Sequence, residues 1–454
     1  MMTHRVPVRF EGDGSGVEEL SWGQRELWEA MRRQFTWMPM GYALPVPPGT
    51  TLDDMVAQLR FMMGRYQSMR TRVRRDPDGN DHQVVAASGE IDLEVVDTGP
   101  GEDPAAVAES VRQRFCDAEH DFARDWPVRM AVVRHGGAVT HQVVIICHLV
   151  TDGFGAMVII REIEDRDLVH GRTPAPPVTA MEPMAQARWE ASPAGRRELA
   201  AVLRRWEGLL RTIPARRFPG PADPREPRHW QVRLDSPATL LAVRAIRART
   251  TVDSSSILLA LFAISLARVT GADPLVTRVI AHNRFRRGLA ETVSPVTHTG
   301  LCVIPVGDTT FDEAVAVVHR RAMVAYRYAY YDPRELDALV ARVAAERGEE
   351  IDLSCFFNDR RLATRDLTEA PPPHPAEITA ALGRSRLRWS QQDKPVERLF
   401  ATINDEPDTL DYELFADTHH VSPADMEACI RGMEALAVAA AFDPAVRVFQ
   451  GVAA

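Results

Sequence analysis

The sequence predicts a mixed α/β protein made of two related lobes. Three observations carry this. Amphipathic helical stretches alternate with short runs rich in Val, Ile and aromatic residues along nearly all of the 454-residue chain. Two proline-rich breaks, at 171–183 and 214–227, interrupt the alternation near the middle, and it then resumes. The length is large for one compact domain and comfortable for two.

The elements follow in order. Residues 1–17 are expected to be a flexible N-terminus; they hold no apolar core of about 7–15 residues such as a signal peptide needs. LSWGQRELWEAM then starts a helix. Ser21 and Gln24 have capping-box spacing, and Leu27, Trp28 and Met31 follow at helical intervals. A second amphipathic helix covers roughly 52–67. Strand-like runs stand at 82–86 and 91–96, a helix at 104–116, and WPVRMAVVRH and HQVVIICH form a strand pair turning at Gly136-Gly137. Residues 155–167 and 184–212 read as helical, the second as one long stretch. In the second lobe HWQVRLD, LVTRVIAHN, LCVIPV and IDLSCFFND are strands, and 237–249, 254–269 and 311–329 are helices. Residues 376–390 and 397–416 read as its final strands, and 423–441 as its final helix. The expected division is 18–182 for the first lobe, 183–228 for a helical and proline-rich connector, and 229–454 for the second lobe.

The 45% hydrophobic and 26% charged composition is that of a globular protein. A net charge of −9 argues against a general nucleic-acid binder, which needs a basic face to neutralise phosphates. No uninterrupted apolar window of about 18 residues is present, so no membrane span is expected. Five scattered cysteines with no CxxC pair favour neither a disulfide framework nor a metal site, and a reducing cytoplasm is the simplest setting.

One segment stands out for chemistry, IICHLVTDGFG (145–155). Its VVII lead-in is a continuous apolar run, as in a strand buried on both faces. His148 falls at the strand exit, and Asp152 and Gly153 fall in the turn before a helix. A helix N-terminus disfavours imidazolium, and a neutral histidine is what a general base requires. Gly153 permits positive φ and close approach of a ligand to the backbone. Cys147 beside His148 is no nucleophile–base pair, because adjacent strand residues point to opposite faces. His419-His420-Val421-Ser422-Pro423-Ala424-Asp425 looks similar, but its spacing is one residue longer and no glycine follows; it reads as a turn and a helix start. Taken alone, the histidine of H-x-x-x-D-G is as well explained by core packing as by catalysis.

CHLVTDG resembles the HHxxxDG signature of the condensation domains of nonribosomal peptide synthetases, in the chloramphenicol-acetyltransferase-like superfamily. LSWGQRELW (20–28) is similar to the family's first motif. GRYQSMRTRV (64–73) resembles RHExLRTxF through Arg65, Arg70 and Thr71, and MAQARWE (184–190) resembles Y-x-D-Y-A-x-W through Ala187 and Trp189. The segment from Thr250 resembles the start of the second lobe, including a strand ending in Gly-Arg, here Asn283-Arg284. VSPVTHTGLCVIPV weakly resembles VGxFVNTxxLR. WSQQDKPVERL (389–399) matches HQDxPFExL in spelling but not in position, since the strand expected after it, LSCFFND, precedes it. The likeness covers about residues 18–445. Two departures stand: the first histidine is Cys147, and the asparagine of VNT is not clearly present.

The resemblance implies two acetyltransferase-like α+β two-layer sandwich lobes in a V, with an active site midway along a tunnel between them. It implies no permanently bound cofactor; phosphopantetheine arms of carrier proteins acting in trans would bring donor and acceptor. His148 would position or deprotonate the acceptor, and the Gly153 N–H would receive the oxyanion. Asp152 would pair with Arg284 as support, and Cys147 would fill its position as a buried neutral residue. The expected function is a free-standing condensation enzyme making an amide or an ester in natural-product assembly. It would be a cytoplasmic monomer, with a small-molecule acceptor possible. Two alternatives remain open: an acyltransferase using acyl-CoA, and a non-catalytic docking module of the same fold. The tyrosines Tyr326, Tyr328, Tyr330 and Tyr331 read better as core packing than as tunnel lining. The arginines of 204–228 and Arg286-Arg287 are candidates to meet acidic carriers.

Overall fold

The structure, a computed structural model, describes residues 2–165, 176–218, 224–250, 252–361, 371–392, 397–404 and 406–449. The chain divides into two compact units, Met1–Leu199 with His282–Thr297, and Ala200–Ala281 with His298–Ala454. The division does not follow the expected boundaries. The first part of the expected connector, 183–199, and the segment 282–297 both belong to the first unit.

The first unit holds β1 (Met2–Glu11), β2 (Gly16–Glu19), α1 (Trp22–Gln34), β3 (Pro39–Pro45), α2 (Leu52–Arg65), β4 (Thr71–Arg75), β5 (Asp81–Val85), β6 (Ser88–Asp97), α3 (Pro104–Asp117), β7 (Val128–His135), β8 (Ala138–Cys147), α4 (Gly153–Glu164) and α5 (Pro183–Ala191). Its main sheet runs β1-β6-β7-β8-β3, and a smaller one runs β2-β5-β4. The capping box of Ser21 and Gln24 is present at α1, and Thr51 with Asp54 makes a second at α2. Gly136 and Gly137, at φ 58° and 85°, turn β7 into β8 with both central residues left-handed, as a tight hairpin requires. α2 and α3 pack on the sheet. Leu59, Met62, Met63 and Val111 are buried in one core with Leu93, Val95, Val132, Val143 and Ile145. Val143 to Ile146 are buried consecutively, because β8 lies inside the sheet between β7 and β3.

The N-terminus corrects an expectation. Residues 2–11 are not flexible; β1 pairs over its whole length with β6. Val8 and Phe10 point inward while Arg5 and Arg9 meet Asp92 and Glu90 on the open side. The period-2 signal was there, but it sits on a charged edge strand and covers few apolar positions.

The unit boundary falls inside α6 (Pro193–Leu210). The expected single helix over 184–212 is two, α5 and α6, broken at Ser192 before Pro193. The second unit continues with β9 (His229–Ser236), α7 (Pro237–Thr250), α8 (Ser254–Thr270), β10 (Leu275–Ala281), β11 (His298–Ile304), α9 (Phe311–Arg327), α10 (Pro333–Arg347), β12 (Cys355–Asp359), α11 (Pro375–Leu382), β13 (Arg386–Gln392), β14 (Leu399–Asn404), β15 (Leu410–Asp417) and α12 (Pro423–Phe442). The sheet order is β11-β10-β12-β14-β15-β9-β13, with β10, β12 and β14 parallel. α8 is buried on every side from Ser254 to Ala267, which explains why it is apolar all round rather than striped. α10, absent from the elements expected above, begins at Asp332 as N-cap with Pro333 in the first turn and ends at a left-handed Gly348. Part of the strand expected at 376–390 is the helix α11, and only 386–392 is strand. Among the described residues no single helix is long and apolar enough to cross a membrane.

Candidate active site

His148 sits in the first unit, one residue past β8, in a four-residue loop that ends at the N-cap of α4. The strand pairing carries the loop into place. Cys147 N–H donates to the Pro127 carbonyl (2.8 Å), His148 N–H to the Met38 carbonyl (3.1 Å), and Val150 N–H turns back to the Cys147 carbonyl (3.1 Å). Asp152 then caps α4, its Oδ1 accepting from Gly155 N–H at 2.9 Å.

The half-buried His148 ring is fixed by its own loop. Nδ1 lies 2.8 Å from the Thr151 carbonyl oxygen. A carbonyl only accepts, so Nδ1 carries a proton, and in the neutral form of the ring the lone pair is on Nε2. Nε2 has no hydrogen-bond partner among the described residues. A group so arranged can accept a proton from a ligand without first breaking an internal bond.

Asp152 does not orient His148. Its carboxylate is clamped by Arg284, Nη2 to Oδ1 at 2.6 Å and Nη1 to Oδ2 at 2.8 Å. Thr297 Oγ1 donates to Oδ2 at 2.8 Å and Val296 N–H at 3.4 Å. Both side chains are buried, at 4% and 7% exposure. Burial alone would raise the Asp152 pKa; the Arg284 charge, aided by hydrogen bonds from Arg284, Gly155 and Thr297, outweighs it and holds the carboxyl below its usual range. Arg284 is held in turn: Nη2 donates to the Thr292 carbonyl (3.1 Å), and its guanidinium lies 5.3 Å from the Phe154 ring centre. The preceding residue, Asn283, is buried and left-handed, at φ 53°. Asparagine is among the few residues other than glycine that take this conformation readily. That is why Asn283 can stand where the resembling family has glycine. Its Nδ2 also donates to the Val296 carbonyl at 2.9 Å.

Cys147 is buried, and its Sγ donates to the Trp37 carbonyl at 3.2 Å. Burial pushes the thiol up to about 12, with Leu149 N–H and Arg129 only partly offsetting it. A thiol so held is not a nucleophile.

The glycines exchange places relative to expectation. Gly153 is the exposed first residue of α4 and is not left-handed, so its freedom in φ goes unused; it takes helical backbone because Asp152 caps the helix just before it. Its N–H has no acceptor among the described residues, as befits the first turn of a helix. The position that needs glycine is Gly155, where a Cβ would collide with Thr151 Oγ1 and press on the Thr292 carbonyl. The sequence alone did not single out Gly155, Thr292 or Thr297; the G-x-G spacing was the one available sign of a second tight glycine.

The outlying motif residues are structural. Arg65 clamps Glu162 at 2.9 and 3.0 Å. Arg70 is fully buried and donates to the carbonyls of Gly14 (3.1 Å), Asp13 (2.7 Å) and Ala86. Trp189 meets the Trp22 ring edge to face, and the Trp22 backbone N–H donates to Glu190 Oε2 at 2.8 Å. In the second unit Tyr330 and Tyr331 are fully buried and pack in the core, Tyr331 Oη bonding Thr299 Oγ1 at 2.8 Å, while Tyr326 and Tyr328 are only partly buried. Arg211 and Arg228 pair with Glu207 and Asp417, and Arg286 with Glu198. Of 389–399, residues 393–396 lie outside the described residues.

A family model described as "Condensation domain" matches residues 40–369. Nonribosomal peptide synthetase kk1B of Curvularia clavata is 26% identical over 330 residues, 69% of this chain. Cyclosporin synthetase simA of Tolypocladium inflatum is 25% identical over 313 residues, 66% of this chain. The chain spans about 2% of the length of each. Among solved structures, the first condensation domain of the calcium-dependent antibiotic synthetase has a TM-score of 0.68 at 16% identity, covering 95% of this chain and 98% of that one. SgcC5 of Streptomyces globisporus has a TM-score of 0.68 at 16% identity, covering 94% and 99%. The X-domain from teicoplanin biosynthesis has a TM-score of 0.68 at 19% identity, covering 95% and 96%. At such identities these likenesses show the fold.

Proposed function

The chain belongs to the condensation-domain family, and we propose that it is a condensation enzyme that joins a carrier-bound acyl or aminoacyl thioester to an amine or hydroxyl acceptor in natural-product biosynthesis. The observation that carries the reading is the His148 ring: Nδ1–H is tied to the Thr151 carbonyl, and Nε2 has no partner among the described residues. In this reaction the acceptor's lone pair attacks the thioester carbonyl carbon. His148 Nε2 takes the proton that the acceptor loses. The tetrahedral oxyanion collects charge near the N-terminus of α4, where Gly153 N–H is the candidate donor. Collapse breaks the C–S bond, and the departing thiolate takes the proton back from His148.

Asp152 takes no proton in this scheme. Its two oxygens are committed to Arg284, Thr297 and the helix cap, so it fixes the loop that carries His148. Phosphopantetheine belongs to the carrier proteins, which this reading supplies in trans.

Cys147 at the first signature position favours one second reading, a docking module of the same fold that performs no transfer. Intact-protein mass spectrometry of carriers loaded with acyl and aminoacyl groups separates the two. Wild type should form a condensed product and His148→Ala should not. Equal product from both would remove His148 from the chemistry. An acyl-CoA that replaces the loaded carrier as donor would move the reading to a soluble-thioester acyltransferase.

A further inference from the structure

The second unit holds a cavity of about 470 Å³ that the condensation reading does not use. Its wall combines apolar groups (Phe218, Leu266, Leu275 and Val276) with Arg216, Arg217 and Asp273. Arg217 is the informative residue. Its Nη1 donates to the Pro214 carbonyl at 2.6 Å, which orients the guanidinium. Its Nε and Nη2 are buried and have no hydrogen-bond partner among the described residues. Among the described residues it is the one side chain with two guanidinium nitrogens in that state.

Those two nitrogens form one edge of the planar fork, the edge that matches the two oxygens of a carboxylate. The same molecule shows what this edge takes. Arg65 uses Nε and Nη2 on Glu162, Arg134 on Asp97, and Arg249 on Asp312, each as a bidentate pair. At Arg217 no carboxylate of the described residues fills it. Asp352 attracts it electrostatically but is itself bonded to Arg398 at 2.8 Å. Burial accordingly pushes the Arg217 guanidinium below its ordinary range, and an anion bound to that edge would relieve the cost.

We propose that this cavity is a binding site for a monocarboxylate with an apolar body, whose carboxylate meets the Nε/Nη2 edge of Arg217. The lining supports a single negative charge: Arg216 and Arg217 against Asp273 leave one positive charge in excess. Asp273 also opposes a doubly charged phosphate. Its Oδ1 accepts from Val306 N–H at 3.0 Å, so the carboxylate is fixed in place. Both nitrogens are buried, so engagement requires the guanidinium to turn that edge toward the cavity.

The test uses the full chain with 3-phenylpropionate, its neutral isostere 3-phenylpropionamide, and inorganic phosphate, by isothermal titration and thermal shift. Wild type should bind 3-phenylpropionate and raise its melting temperature. The amide should bind at least tenfold more weakly, the range of one charge-assisted pair. Arg217→Gln should lose the preference for the acid over the amide. Arg217→Lys keeps the charge but not the fork, and should lose most of it. Hydrogen exchange should slow on ligand addition in 214–218 and 271–276. Equal binding of acid and amide to wild type overturns the proposal without any variant, and so does preference for phosphate, or protection elsewhere in the chain.

Discussion

Two junctions in this molecule begin alike and end differently. In the first unit β8 leads through His148 to α4, and in the second β15 leads through His419-His420 to α12. Each joins a buried strand to a capped helix, and each contains a buried carboxylate held by a bidentate arginine: Asp152 with Arg284, and Asp417 with Arg228. The difference lies in order. Asp417 precedes its histidines, and His420 Nε2 lies 3.7 Å from its Oδ2. Asp152 follows His148 and serves as the helix cap, so the loop must hold the ring with a main-chain carbonyl instead. One histidine turns Nε2 toward an internal anion; the other keeps Nε2 clear of one. A clamped carboxylate is therefore a joint used twice, and the availability of a ring nitrogen is what sets the first junction apart.

The largest effect should come from breaking that difference. His148→Ala should lower the condensation rate by about 10²–10⁴-fold, the usual loss for a proton-transfer group. His420→Ala should leave the rate within a few-fold of wild type. Single-turnover product formation with loaded carriers measures both. A comparable loss in the two variants would mean that the two junctions are equivalent.

Next in size is the stability of the two clamps. Arg284→Ala leaves Asp152 buried and unpaired, and should cost about 3–5 kcal/mol. Arg228 is 42% exposed, and solvent can replace it at Asp417, so Arg228→Ala should cost about 1 kcal/mol. Urea unfolding measures both, and equal costs would show that burial does not separate the pairs.

How far the sequence went at this site follows from the kinds of signal each residue leaves. His148 and Asp152 were legible because a strand, a turn and a helix start impose a spacing that a family signature matches; Arg284, 132 residues away, was reached only through the resemblance. Thr297 and Thr292 were not legible, because they reach Asp152 and Arg284 from 145 and 8 residues away through contacts that no local pattern encodes. Gly153 was overvalued for a conformation it does not adopt, while Gly155 carries the tight contact. In the fold, strongly periodic elements such as α1, α2 and the β7–β8 hairpin read correctly. The edge strand β1 did not, because charge on its open side hides the alternation. α10 was missed although both of its ends carry stop and start residues.

Acid should act on the first clamp in a defined direction. The Asp152 pKa is depressed in the folded state, so its ionisation stabilises the fold above the unfolded value of about 3.9. That contribution is fully present at neutral pH. It fades as pH falls below the unfolded value and is gone once pH drops through the folded one. Asp152→Asn removes the linkage while Arg284 stays charged. The stability gap between wild type and Asp152→Asn should therefore be constant from pH 7 to about pH 5 and narrow below about pH 4. A gap that widens on acidification would reverse the sign of the assigned shift.

The smallest effect concerns the residue before each histidine, Cys147 in one junction and His419 in the other. His419 is partly open, with Nε2 4.0 Å from Glu226. Cys147 is closed in, its thiol donating to Trp37 and pushed up to about 12 by burial. Cys302 and Cys355 are likewise buried, each pushed up to about 12, and Cys429 is buried and raised as well. Cys116 is the half-buried one. Iodoacetamide at pH 8 on the folded protein should therefore give at most one adduct, at Cys116, and all five thiols should react after denaturation. Cys147→Ala should keep the condensation rate within about threefold, because the thiol only fills space beside the loop. Rapid native labelling of Cys147, or a rate loss in Cys147→Ala approaching that of His148→Ala, would show that the first signature position has kept a part in the chemistry.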